Sequence, residues 1–170
     1  MVRRGRLIAA TKLTGKGRGT PGPFLLLARG NDRKDPPMRA EDMIATHPDV
    51  RGNTATLLVA AVDEVAACAL TCTSCADACL AEAMVDRLRQ CIRACLDCAD
   101  VCAATARLAT RRTGSNEALL AEMLAVCATA CRLCGEECTR HAEMHDHCRL
   151  CAEACLASAE ACQRALGDVT

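Results

Sequence analysis

Cys127, Cys131, Cys134 and Cys138 are spaced four, three and four residues apart, and the same rhythm recurs at Cys68, Cys72, Cys75, Cys79 and at Cys91, Cys95, Cys98, Cys102. An α-helix turns once in about 3.6 residues, so each set of four sulfurs lies along one stripe of a helix. A fourth segment carries Cys148, Cys151, Cys155 and Cys162, with Ser158 where the rhythm would place a further thiol. The residues between the cysteines are mainly Ala, Leu, Asp, Glu, Arg and Thr, which suit helices. The chain is thereby committed to four helices, each with a seam of sulfur.

Taken in order, the inward stripes read Leu58, Ala61, Val65, Cys68, Cys72, Cys75, Cys79 in a first helix from Asn53, its N-cap, to about Met84. Asp86 is available to cap a second, running to about Arg111, whose stripe is Leu88, Cys91, Cys95, Cys98, Cys102, Thr105, Ala109. After a loop from Arg111 to Asn116 that combines a glycine stop with a Ser/Asn start, a third reads Leu120, Leu124, Cys127, Cys131, Cys134, Cys138, His141. The fourth, Asp146 to Leu166, reads Cys148, Cys151, Cys155, Ser158, Cys162, Ala165. Short connections make successive helices antiparallel, so the expected fold is all-α, an up-down-up-down four-helix bundle with a Cys-lined core occupying residues 53–170. That topology gathers Met84, His141, Met144, His145 and His147 at one mouth, and Leu58, Ala61, Ala109, Leu120, Leu124 and Leu166 at the other end.

The 21 basic and 21 acidic residues cancel, so net charge gives no general attraction to nucleic acid or an anionic membrane. No unbroken apolar run reaches the roughly 18 residues of a membrane span, which argues against one. Residues 1–37 read as a flexible basic tail: up to Asn31 it holds Arg3, Arg4, Arg6, Lys12, Lys16, Arg18 and Arg29 with no acid, punctuated by Gly and Pro. Arg3-Arg4 before Leu7-Ile8 faintly resembles a twin-arginine signal, but Lys12 interrupts the apolar run and no A-x-A site follows, so the expected location is cytoplasmic. A start at Met38 or Met43 would leave every cysteine in place. Residues 38–52 are expected to hold a short helix ended by His47-Pro48, with His47 at the surface.

Sixteen cysteines in 170 residues suggest first a secreted disulfide scaffold. Such scaffolds are loop-rich, and disulfides along a single helix stripe would be strained. Were the cysteines merely small core residues, Ala or Val would fill the space without the risk of oxidation. A metal store explains the seams better. Deprotonated thiols bury about one charge each, and a monovalent soft cation bound at about one per thiolate cancels it, whereas Zn²⁺ held by four thiolates leaves two negative charges per site. Thiolates also select Cu(I), which needs only two or three ligands, so the seams suit many Cu(I) ions in a tube. The C-x2-C pairs leave zinc or cadmium buffering open, and a structural helical interaction domain is the further alternative. No Pro follows a cysteine in the iron–sulfur manner, and there is no βαβ context for thioredoxin chemistry. Nor does any phosphate-binding loop, Ser/His/Asp set or buried carboxylate pair point to an enzyme; Asp63, Glu64, Asp77, Asp97, Asp100, Glu136 and Glu137 fall off the seams and read as solvated faces. At the mouth, His141 and His145 stand one turn apart with Met144 between them, so imidazole and thioether can meet an incoming ion together, while His147 and Met84 read as ordinary surface residues.

These four C-x3-C-x2-C-x3-C-type helices, with His141 and His145 closing the third seam, resemble the cysteine-rich four-helix-bundle copper storage proteins, particularly their cytosolic bacterial branch, over residues 45–166. The resemblance implies storage of many Cu(I) ions per bundle on the sixteen cysteines, admission through a His/Met mouth with His141 and His145 as its ligands, and assembly into a homotetramer. Ser158 departs from the pattern, so that part of the fourth helix should hold less metal. Independently, Leu119, Val126 and Leu133 form a second apolar stripe at heptad spacing, suited to burial against a partner chain or beneath the N-terminal segment.

Overall fold

A computed structural model describes residues 39–50 and 55–169, and the basic segment 1–37 and the anticipated cap Asn53 lie outside them. Five helices follow one another: α1 (Ala40–Ala45), α2 (Thr56–Ala81), α3 (Val85–Ala109), α4 (Glu117–Thr139) and α5 (Asp146–Val169), with no strand among the described residues. The four long helices form a closed square in which α2 packs on α3 and α5, and α4 packs on α3 and α5. Each turns its thiol stripe inward, as the spacing requires. Backbones do not meet across either diagonal among the described residues, yet sulfurs do: Cys72 and Cys134 are 4.0 Å apart, and Cys95 and Cys151 3.9 Å. Cys and Ala are too small to hold the helices apart, so the interior closes until opposing thiols touch.

Beyond the sulfurs, Leu58, Ala61, Leu120, Leu124 and Ala109 are buried and fill one end of the bundle, while Leu166 is half-buried beside them. Thr105 sits there fully buried, its hydroxyl donating to the Val101 carbonyl at 2.8 Å. Ser158, in the place of the missing thiol, is also buried and donates across the helix interface to the Glu64 carbonyl at 3.2 Å. The serine therefore ties α5 to the backbone of α2.

Two glycines have structural reasons. Gly114, in the loop between α3 and α4, has φ +70°, a left-handed conformation that a side chain would strain. At Gly135 the reason is proximity: a Cβ there would stand 3.2 Å from the Leu156 side chain and 3.3 Å from Cys155 Cβ, so its absence lets α4 and α5 approach.

The helix ends differ in detail from the sequence reading. α3 starts at Val85 from Met84, placing Asp86 in the first turn, paired with Arg89, rather than at the cap. A carboxylate favours the positive end of the helix dipole in either position. α5 runs to Val169, past Leu166. α1 packs on α2 through Ile44, Val50 and Val59. His47, read as a surface residue, is half-buried: it accepts the Asp49 N–H on Nδ1 (3.2 Å), which leaves Nε2 to donate to Thr113 Oγ1 (3.1 Å). Neither α2 nor α4 holds an unbroken apolar run of membrane-spanning length. Both are long and apolar enough by composition to cross a bilayer, with mean hydropathy 1.6 in each. Asp63-Glu64 and Glu122 break their apolar runs, and much of the apolarity is Cys and Ala turned to the core.

Leu124 is 1 % exposed in the aliphatic end. Leu124→Ala should therefore cost about 2–5 kcal/mol of stability, read from urea unfolding of the reduced, metal-free protein.

Candidate metal centre

All sixteen cysteines are free thiols, 0–2 % exposed, and all belong to one core cluster. Each helix contributes four, so the sulfurs form a continuous column along the bundle axis. Spacings along it are short: Cys102 to Cys131 3.3 Å, Cys72 to Cys155 3.4 Å, Cys91 to Cys138 and Cys95 to Cys138 3.6 Å each, Cys68 to Cys155 3.7 Å. These are contacts between thiols, well beyond the roughly 2.05 Å of a disulfide. Overlapping quartets can each surround an ion: Cys75, Cys95, Cys138, Cys151, then Cys72, Cys134, Cys151, Cys155, then Cys68, Cys72, Cys98, Cys155, then Cys68, Cys98, Cys102, Cys131. Because neighbouring quartets share sulfurs, a ligand of one site is a ligand of the next.

The protons on these sulfurs are coupled. Cys98 and Cys151 are pushed down from the ordinary thiol range, chiefly by bonds to Cys102 and to Cys134 respectively. Cys72 and Cys138 are pushed up, chiefly through their bonds to Cys134. A thiolate is thus welcome where neighbouring S–H groups donate to it, and each one formed makes the next harder. Nearer the mouth, burial first and the charge of Cys91 second push Cys79 up to about 11, and Cys148 rises for the same reasons. At the inner end, Cys162 is pushed up first by its bond to Cys127 and then by burial. Uncompensated negative charge is costly in so buried a place, so a cation that binds there takes the place of thiol protons.

The mouth is more elaborate than the sequence indicated. Met84, His141, Met144 and His145 do come together, lining a pocket of about 260 Å³ with Glu82, Ala83, Arg87 and the buried Leu88. Within it, however, the imidazoles of His141 and His145 are bonded to carboxylates: His141 Nε2 is 3.3 Å from Glu137 Oε1, and His145 Nδ1 is 3.0 Å from Glu82 Oε1. The imidazole that reaches the thiols is His147, whose Nδ1 is 3.4 Å from Cys148 Sγ, 3.5 Å from Cys75 Sγ and 3.9 Å from Cys79 Sγ. Its Nε2 faces Glu82 Oε1 at 3.2 Å, and its ring stacks on His145 with centroids 5.2 Å apart.

His147 is therefore not the ordinary surface residue that the sequence suggests. It stands four residues before Cys151 and eight before Cys155, a spacing that already placed it on their face. Glu137 is likewise not a solvated acid: it is 9 % exposed and holds both Arg140 (2.7 Å) and His141. Asp77, Asp97, Asp100 and Glu136 are exposed as expected.

The family model described as copper storage protein matches residues 54–167. Among solved structures, the copper storage protein Ccsp from Streptomyces lividans loaded with 10 copper equivalents is 46% identical, with a TM-score of 0.72 over 75% of this chain and 98% of that one. A structure of a cytosolic copper storage protein from Streptomyces lividans loaded with five coppers is 49% identical, with a TM-score of 0.65 over 66% of this chain and 93% of that one. A variant of Ccsp with one histidine replaced by alanine is 46% identical, with a TM-score of 0.67 over 69% and 98%. No curated protein sequence matches.

If the thiols are reduced and buried as described, an aromatic disulfide reagent should react slowly with the native, metal-free protein and reach all sixteen thiols once guanidinium unfolds it. A native protein with several rapidly reacting thiols, or an unfolded one lacking them without added reductant, would contradict the sealed column.

Proposed function

We propose that this chain, which belongs to the copper storage protein family, holds its copper as Cu(I) on the sixteen seam cysteines and admits it at the end where imidazoles and thioethers gather. One observation carries the reading: sixteen free thiols, none more than 2 % exposed, touch one another from four helices. A monovalent soft cation replacing each proton keeps that interior near neutrality, and thiolates prefer Cu(I) among the common biological metals. Zn²⁺ spread through the all-sulfur quartets would leave charge uncompensated at every one.

His141, His145, Met144 and Met84 are the first ligands an ion meets. Their support is the pocket they share and the carboxylates behind them, since Glu137 and Glu82 hold two of the imidazoles. His141 and His145 then act as relay ligands, passing ions toward His147 and the thiols. The role is sequestration, in keeping with the family's description as storage proteins. A cytosolic location follows the Streptomyces lividans relative described in that way.

Assembly into a homotetramer is supported by the outer face of α4. Leu119, Val126 and Leu133 are all about half exposed, and Val126 and Leu133 line an open apolar hollow of about 370 Å³ with Ala125, Thr129 and Ala130. Burying such a stripe against another copy removes apolar surface from water.

Titration of reduced protein with Cu(I) against a chromophoric chelator should reach about ten or more ions per chain, with little change in helicity because the bundle is formed without metal. Saturation at only a few ions would overturn storage. Replacing His141 and His145 together with alanine should slow copper uptake or removal in stopped-flow mixing while leaving capacity nearly intact. A halved capacity would instead make them storage ligands.

A further inference from the structure

We propose that the mouth pocket receives copper as an anionic complex of Cu(I) with a low-molecular-weight thiol, and that Arg87 is the residue that recognises the complex. The inference rests on the reading that copper enters at this end, and it adds the form in which the metal arrives.

The pocket is too large for a lone ion. Its volume of about 260 Å³ is room for roughly nine waters at about 30 Å³ each. Ala83, Met84, Leu88 and Met144 make its walls apolar enough for the carbon chain of a small carrier, while the thioethers and the imidazoles of His141 and His145 can meet the carrier's copper. Its charges are unevenly matched. Glu82 turns Oε1 to His145 and His147, Glu137 holds Arg140 and His141, Asp86 pairs with Arg89 and Asp146 with Arg149. Arg87 has no such partner: it lines the pocket, is exposed, and makes no ion pair among the described residues. Glu143, in the turn after α4, is not part of the lining. The helix gives Arg87 no reason to be there either. It stands in the first turn of α3, at the positive end of the dipole, where a cation is disfavoured and an anion favoured. An unpaired guanidinium on the wall of an apolar pocket presents a fork of donors to an anionic guest.

A cuprous ion held by two thiolates carries one net negative charge, and any carboxylate on the carrier adds to it. Docked at Arg87, the complex exchanges ligands one at a time: a carrier Cu–S bond breaks as a bond from copper to Met84, Met144 or an imidazole forms. When the copper moves on to a seam sulfur, that thiol's proton passes to the freed carrier thiolate, so the carrier leaves as a thiol and no electron moves. The carrier itself cannot follow. Beneath the pocket the sulfurs stand 3.3–4.0 Å apart, which leaves passage for an ion alone.

The test mixes the full chain, reduced and copper-free, with Cu(I) carried by either of two thiols that offer the same sulfur with opposite charge. Glutathione gives an anionic complex and cysteamine a cationic one; uptake is followed by the luminescence of Cu(I) shielded in the core. Arg87→Gln should slow uptake from glutathione about three- to tenfold and leave uptake from cysteamine unchanged. Arg87→Lys should keep most of the rate, and Arg87→Glu should reverse the preference between carriers. In the unaltered protein, added salt should slow uptake from glutathione, a dependence that Arg87→Gln loses. Should the variants fail to fold, the salt series alone decides: a rate from glutathione that does not fall with salt overturns the proposal. Equal slowing from both carriers would make Arg87 merely structural, and no slowing from either would remove it from recognition; each overturns the proposal. Uptake that slows on replacing His141 and His145 but ignores Arg87 rejects the carrier alone. Uptake indifferent to all three substitutions rejects entry at the mouth as well.

Discussion

Below the His147 imidazole at the mouth, a thiolate inside this bundle has no buried lysine or arginine to lean on among the described residues. Among the described residues, the only buried polar or charged groups are Thr105, Glu137 and Ser158. Negative charge on the seams can therefore be offset only by protons or by metal ions. That constraint accounts for the rest: the four long helices carry thiols only on the stripe that faces inward, and the small residues beside it let the sulfurs touch. Occupancy by a soft monovalent cation exchanges one kind of compensation for another and requires little of the backbone.

At the surface the same helices behave ordinarily. Arg93 and Asp97 at 2.8 Å, and Arg132 and Glu136 at 2.8 Å, are exposed pairs one turn apart, each worth about 0.3–0.5 kcal/mol. The mouth is where the two regimes meet. Glu82 serves His145 and His147 at once, and Glu137 serves His141 and Arg140, so carboxylates set imidazole orientation on both sides of the opening. Without them the rings would be free to rotate away from an arriving ion.

The bundle and its column were legible in the sequence because a four-three-four spacing leaves a helix only one face on which to put its sulfurs. The aliphatic end was legible too, since Leu58, Leu120 and Leu124 continue those same stripes. The mouth was harder to read because its key contacts cross between elements. Glu82 ends one helix while His145 and His147 begin another, and nothing in their spacing announces that they share an oxygen. Stripe continuity singled out His141, yet the helix stops at Thr139 and the turn that follows presents His141 to Glu137 instead of to sulfur. Ser158 shows the converse: its place in the rhythm was evident, but its bond to the Glu64 carbonyl depends on how closely α5 approaches α2.

Because the aliphatic plug closes one end, the proposed route for copper has a single opening, at the mouth. Ions lodged beside Cys127 and Cys162 can leave only after those nearer Cys79 and Cys148 have gone. Such a column empties in the reverse of its filling order, so the most recently acquired copper is the most readily withdrawn and the oldest becomes a reserve that turns over slowly.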